Sequence, residues 1–275
     1  MNIKKVWAVF FSATGTTQKV VIKIANVIAE KLSVEYEAFN FTLPSARTDV
    51  LKFSSDDLVI FGSPVYAGRV PNVLLKYLAT IEGNGATAVP VVLYGNRNYD
   101  DSLIELRDIL EKDKFHTIAA SAFIGEHSFS NILAKDRPDK ADMVIVNDFA
   151  IKVVEKLKAI SDIYTMAPLH VEGVPSPYRG YYQPRDRKGN PVDIRKVKPL
   201  TNKDCNNCKL CADICPMGSI DHENIREFTG ICIKCCACIK KCPKHAKNYQ
   251  DIEFLYHLHE LEEGLARRAE PKLFL

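Results

Sequence analysis

The chain has 275 residues, room for one or two domains, and its 47% hydrophobic and 26% charged content is ordinary for a soluble globular protein. A formal net charge of +3 gives no support to a nucleic-acid partner, and no apolar run approaches the ~18 residues a membrane-spanning helix requires. All nine cysteines lie after residue 204, and the N-terminus lacks the charged, apolar and small-residue pattern of a secretory leader, so the expected location is the reducing cytoplasm.

The first 160 residues alternate β-rich runs with amphipathic helical ones. Lys5 to Phe11 reads as a strand, and Thr17 to Leu32 places Val20, Val21, Ile24, Val27, Ile28 and Leu32 on one helical face. Further strands are expected over Val34 to Asn40, Leu58 to Gly62, Ala88 to Tyr94 and Thr117 to Phe123, with helices at Val73 to Ile81, Asp101 to Lys112 and Lys140 to Ala159. Strands that read as continuous apolar runs, with helices between them, predict a doubly wound α/β domain with a parallel sheet. Ligands bind such sheets beyond the carboxyl ends of the strands.

Three loops at those ends carry the informative residues. The first contains Ser12, Thr14, Gly15, Thr16 and Thr17, hydroxyls and a glycine at a helix start with no Lys or Arg. Such a loop suits an anion, although the same hydroxyls could simply cap the helix. It is neither a Walker loop nor a Gly-x-Gly-x-x-Gly turn. The third-strand loop holds Ser63, Tyr66, Gly68 and Arg69, and the fourth-strand loop holds Gly95, Asn96, Arg97 and Tyr99. Each supplies small residues and one tyrosine able to stack on a flat ligand or to anchor its own loop.

These loops resemble those of flavodoxins. The resemblance implies FMN, with its phosphate at Ser12, Thr14, Gly15, Thr16 and Thr17 and its ring between Ser63, Tyr66 and Gly68 on one side and Gly95, Asn96 and Tyr99 on the other. Tyr99 matches the stacking tyrosine, while Asn96 stands where many flavodoxins have an acid. His127, after the fifth strand, opens on the same edge as a possible proton donor or an ordinary loop histidine.

From 161 to 200, prolines and Tyr178, Tyr181 and Tyr182 break the pattern, which predicts an interdomain segment that wraps one domain. A second, small domain is expected over 201–250. There Cys205-x2-Cys208-x2-Cys211-x3-Cys215-Pro216 is followed by Cys232-x2-Cys235-x2-Cys238-x3-Cys242-Pro243. Two such runs point to two 4Fe-4S clusters, each taking three thiolates from one run and the fourth from the other. Cluster I is assigned to Cys205, Cys208, Cys211 and Cys242, and cluster II to Cys232, Cys235, Cys238 and Cys215. At about −2 each, the two cubes would bring the molecule close to −1. Cys236 reads as an apolar filler. In 251–275, Ile252, Leu255, Leu258, Leu261 and Leu265 predict a docking helix, and the tail from Pro271 carries no readable role.

The cysteine runs resemble bacterial two-cluster ferredoxins, and the whole chain resembles the flavodoxin–ferredoxin fusion proteins of anaerobes. That implies a flavodoxin-like domain followed by a small α+β ferredoxin domain, and an electron-transfer protein passing single electrons between clusters and FMN for a separate redox partner. A flavin reductase of a small acceptor, with His127, Arg69 and Arg97 lining its pocket, is the second expectation; a redox sensor is the third. Arg69 and Arg97 are expected beside the flavin ring, where their charge would favour flow from clusters to FMN.

Overall fold

The computed structural model describes residues 2–186 and 188–275. The N-terminal part is built from β1 (Lys5–Phe10), α1 (Thr16–Leu32), β2 (Glu35–Asn40), β3 (Asp57–Pro64), α2 (Asn72–Leu78), β4 (Thr87–Tyr94), α3 (Ser102–Lys112), β5 (His116–Thr117), β6 (Ala120–Ile124) and α4 (Lys140–Ala159). The sheet runs β2-β1-β3-β4-β6, all parallel, so strand order reverses at β1. Phe10 pairs with Gly62, which brings the first and third loops out at the same level above the switch point. Leu58 to Phe61 and Ala88 to Val92 are buried throughout because helices cover both faces: α1 and α4 on one, α2 and α3 on the other.

The sequence predicts one strand from Thr117 to Phe123, whereas the structure divides it. Thr87 pairs with His116 but Val91 pairs with Ser121, so the partner strand takes one extra residue between β5 and β6. The Pro- and Tyr-rich stretch lies along α3. Arg107 donates to the Leu169 carbonyl at 2.6 Å, the Val174 N–H to Asp101 at 2.9 Å and the Tyr178 hydroxyl to Asp108 at 2.8 Å.

The cysteine-rich part contains β7 (Leu200–Thr201), α5 (Leu210–Asp213), α6 (Ala237–Lys240) and β8 (Lys247–Asn248), followed by α7 (Ile252–Gly264) and β9 (Lys272–Phe274). Its two halves repeat at a spacing of 27 positions. Left-handed residues at Asn207, Lys209 and Gly218 recur at Lys234, Cys236 and His245. The pairing of Thr201 with Lys247 recurs as that of Phe228 with Ile220.

Two features of the last quarter differ from expectation. In α7 the buried residues are Phe254, His257 and Leu261, whereas Ile252 is 80% exposed, because Phe254 is drawn between Tyr249 and Phe129, with ring centroids at 4.0 and 4.9 Å. The tail is β9, which pairs antiparallel with β6 and so returns the chain to the first domain's sheet.

Candidate functional site

Gly15 begins α1 in the left-handed region (φ 105°), and a Cβ placed there would meet nothing within 4 Å. No side chain caps the α1 N-terminus at Gly15, and no acidic residue stands in its first turn. The Ser12 hydroxyl accepts from the Gln18 N–H at 3.0 Å and Thr17 is buried, which leaves Thr14 and Thr16 as the partly exposed hydroxyls. Open N–H groups, two hydroxyls and a bare glycine make an anion cradle.

The third-strand loop is a tight turn. Tyr66 and Arg69 exchange both backbone hydrogen bonds, at 3.0 and 3.1 Å, around Ala67 (φ 50°) and Gly68 (φ 79°). A Cβ at Gly68 would fall 2.1 Å from an Asp100 carboxylate oxygen, and the Gly68 carbonyl accepts from the Asp101 N–H, so only glycine lets this loop lie against the fourth-strand loop. Ser63 is buried, with its hydroxyl donating to the Pro64 carbonyl at 3.1 Å.

The fourth-strand loop is gripped from several sides. Asn96 is buried with φ 65°, and its amide donates to the carbonyls of Leu265 and Arg267 at 2.7 and 2.6 Å while accepting from the Ala269 N–H at 3.2 Å. At the position where the resemblance expects an acid by a flavin, this amide therefore holds the chain's own tail. Tyr99 is 6% exposed, packs on Tyr94 with centroids 5.7 Å apart and donates its hydroxyl to Glu172 at 2.8 Å. His127 packs onto Gly95, so closely that a Cβ on the glycine would lie 2.4 Å from its ring. Its Nδ1 accepts from the Phe129 N–H at 3.2 Å, and burial, with smaller repulsions from His257, Lys240 and Arg97, lowers its pKa to about 4.

The expectation that Arg69 and Arg97 turn bare charges toward a flavin does not hold. Arg69 makes a two-pronged pair with Glu105 and lies over Tyr178 and Tyr181, while Arg97 pairs with Asp100 and lies over Tyr182 at 4.2 Å. Carboxylates three residues along in one case and on α3 in the other cancel both charges, which removes the electrostatic premise for a direction of flow.

The cysteines of the two runs surround two cavities. Cys205, Cys208, Cys211, Cys238 and Cys242 line one cavity, and Cys215, Cys232, Cys235, Cys236 and Cys238 line the other, so each cavity draws cysteines from both runs. All nine thiols are free. The backbone N–H groups of Ser219 and Ala246 point to the Sγ atoms of Cys215 and Cys242 at 3.4 and 3.3 Å, in equivalent places of the repeat. Burial raises the Cys235 thiol to about 12 and Cys238 further. Among the described residues, no group of three or more His, Cys, Asp or Glu is arranged to hold a single metal ion. Cys236 is buried and occupies the left-handed start of α6, where Lys209 stands before α5.

The second run is set against the candidate ligand loops. Cys235 and Ala237 join the core under α2 and α3, and the thiols of Cys235, Cys236 and Cys232 lie near enough to Tyr66 to raise its pKa beyond the effect of burial. Arg47 donates to the Pro216 carbonyl at 2.6 Å, and Lys240 on α6 reaches Glu126 at 2.5 Å and the Ser130 carbonyl. None of these contacts between the cysteine-rich part and the N-terminal part could be read from cysteine spacing. A further cavity of about 400 Å³ borders the fourth-strand loop and is lined by Tyr94, Arg97, Tyr99, Glu172, Arg267 and Lys272 among others.

The N-terminal region is thus a flavodoxin-like domain by strand order and by the placing of its three loops. Residues 8–94 match the flavodoxin domain family. Among solved structures, a flavodoxin from the domain Archaea is 17% identical, with 56% of this chain and 99% of that one covered and a TM-score of 0.40. The FMN-bound flavodoxin of Fusobacterium nucleatum is 16% identical, over 56% of this chain and 99% of its own, with a TM-score of 0.38. The rubredoxin oxygen:oxidoreductase of the anaerobe Desulfovibrio gigas is 17% identical, over 60% of this chain and 38% of its own, with a TM-score of 0.40. No curated protein matches the chain. Among the described residues, no helix is long and apolar enough to cross a membrane.

Proposed function

We propose that this chain is an electron-transfer protein in which two 4Fe-4S clusters and an FMN exchange single electrons on behalf of a separate redox partner. Cys205, Cys208, Cys211 and Cys242 would hold cluster I, and Cys232, Cys235, Cys238 and Cys215 cluster II. Thr14, Gly15, Thr16 and the open N–H groups of α1 would take the FMN phosphate, with the loops of Tyr66 and Asn96 beside the ring. When bound, FMN stores two electrons that can pass singly, and each cluster carries one.

The observation that carries this reading is the packing of the second cysteine run against Tyr66 of the third-strand loop. A carrier needs its centres close together, and here the sheet edge suited to a flat ligand also bears the thiols. The thiol chemistry agrees: burial disfavours ionisation of Cys211, Cys235 and Cys238, a cost that a multiply charged metal group would compensate.

A flavin reductase of a small acceptor is the second reading, supported by the 400 Å³ cavity beside Arg97 and Tyr99, which offers room for a small molecule at the fourth-strand loop.

The test is anaerobic reconstitution with iron, sulfide and FMN, then potentiometric titration followed by visible and EPR spectra. Two EPR-active iron–sulfur centres and one flavin per chain are expected, and Cys215→Ala should remove or degrade cluster II while sparing cluster I. Undiminished iron in that variant would defeat the crossed assignment, and a chain that retains no FMN would defeat the carrier reading.

A further inference from the structure

The internal repeat exposes a residue out of place. Position 220 in the first half is Ile, buried at 4% exposure, and its equivalent in the second half is Lys247, buried at 3%. The two occupy the same site in the repeated strand pairing, opposite Phe228 and Thr201 respectively. An apolar side chain suffices there once, so the fold does not require a lysine.

The surroundings of Lys247 are built for an ammonium. Its Nζ donates to the Thr201 hydroxyl and to the Ile225 carbonyl, each at 2.7 Å, and lies 5.4 Å from the centre of the Phe228 ring. No carboxylate pairs with it among the described residues, unlike Arg69 and Arg97. Lys247 itself lines the first cysteine cavity, which Cys238 of the second run also borders. Cys211 of one run and Cys238 of the other thus border the cavity that Lys247 lines. The other cations nearby are differently placed: Lys209, Lys241 and Lys244 also line the first cavity, but Lys241 and Lys244 are exposed and Lys209 pairs with Glu223. Lys198 shares the Phe228 ring, and the ammonium of buried Lys234 faces Cys232 and donates to the carbonyls of Arg195 and Cys232.

We propose that Lys247 is a buried cation shared by the two cluster sites, which it makes easier to reduce. This rests on the iron–sulfur reading above. Reduction adds one negative charge to a cluster, and net charge and hydrogen bonding near the sulfurs are what the protein uses to set cluster potentials. A buried ammonium without a carboxylate is little screened, so it favours the reduced form of both clusters. The effect should be larger at cluster I, whose cavity Lys247 lines. The residue acts through the field it imposes and by holding β7 to the segment at Ile225, not by touching a redox partner.

The experiment compares the reconstituted full-length chain with Lys247→Gln and Lys247→Arg, each titrated with EPR detection of both clusters. A parent chain that takes up no iron defeats the iron–sulfur reading before any variant is considered. In the loaded protein, Lys247→Gln, which keeps a donor for Thr201 and Ile225, should lower both potentials. The drop at cluster I should amount to about a tenfold fall in the ratio of reduced to oxidised cluster at the parent's midpoint, or ~59 mV for one electron. Lys247→Arg should stay near the parent. Potentials in Lys247→Gln that overlay those of the parent would overturn the proposal. So would an equal drop in both variants, which would trace to packing, or failure of both to take up iron, which would make Lys247 a structural residue.

Discussion

Glu105 on α3 accepts two of the three guanidinium hydrogen bonds of Arg69, at 2.7 and 2.6 Å, and another at 2.9 Å from the Val70 N–H, while the remaining Arg69 N–H donates to the Arg179 carbonyl. The pair locks the third-strand loop to the helix that follows the fourth. Glu105 is 3% exposed and the Arg69 side chain 13%, so Glu105→Ala would strand a desolvated cation and an N–H together. The expected loss is about 3–5 kcal/mol of unfolding free energy in urea titration. A loss below ~1 kcal/mol would mean the pair behaves as a surface contact.

Asn96 gives a second test, because aspartate is nearly its isostere but cannot donate. In Asn96→Asp a carboxylate would face the carbonyls of Leu265 and Arg267, and each unmade buried hydrogen bond costs about 1–3 kcal/mol. Hydrogen exchange should show residues 265–275 losing protection before the rest of the sheet. Unchanged protection in the variant would show that the Arg137 bond to the Ala269 carbonyl and the β9 pairing hold the tail unaided.

FMN and riboflavin differ only in the phosphate that the N-terminus of α1 is proposed to hold, so the two ligands test that site. The hydroxyls of Thr14 and Thr16 are the partly exposed ones, so Thr14→Val with Thr16→Val should weaken FMN far more than riboflavin. Each bond lost to a charged phosphate is worth about 1.5–3 kcal/mol. Fluorescence titration measures both affinities, and equal losses would place the phosphate elsewhere.

His127 links stability to pH. Its pKa falls from the ordinary 6.5 to about 4, mainly through burial, so between those values the unfolded chain binds a proton that the folded chain does not. Stability should therefore be fully present above pH ~6.5 and decline as pH falls towards 4, by up to about 3 kcal/mol from this group. In His127→Gln the slope of unfolding free energy across that window should flatten. His257 shifts in the same direction, so some slope should remain.

Much of the fold was legible because its signals are local. Buried parallel strands leave uninterrupted apolar runs, and α1 shows its face at helical spacing. The misreadings involve contacts that spacing does not encode. Arg69 meets Glu105 thirty-six positions on, and Asn96 meets Leu265 at a separation of 169. In each, side chains expected at a ligand are satisfied by the chain itself. The helical stripe of α7 failed for another reason: aromatic packing by Phe254 outweighed the aliphatic repeat, and period alone does not rank the two.

The antiparallel strand at Lys272–Phe274 bears on how the protein is made. Until those residues leave the ribosome, β6 presents an unpaired edge, and the whole cysteine-rich segment is synthesised in the interval. Open strand edges are where nascent chains pair wrongly with one another. Closure of the first domain's sheet thus waits on completion of the second, so a chain stalled or cleaved between them carries a nearly finished domain with a sticky flank.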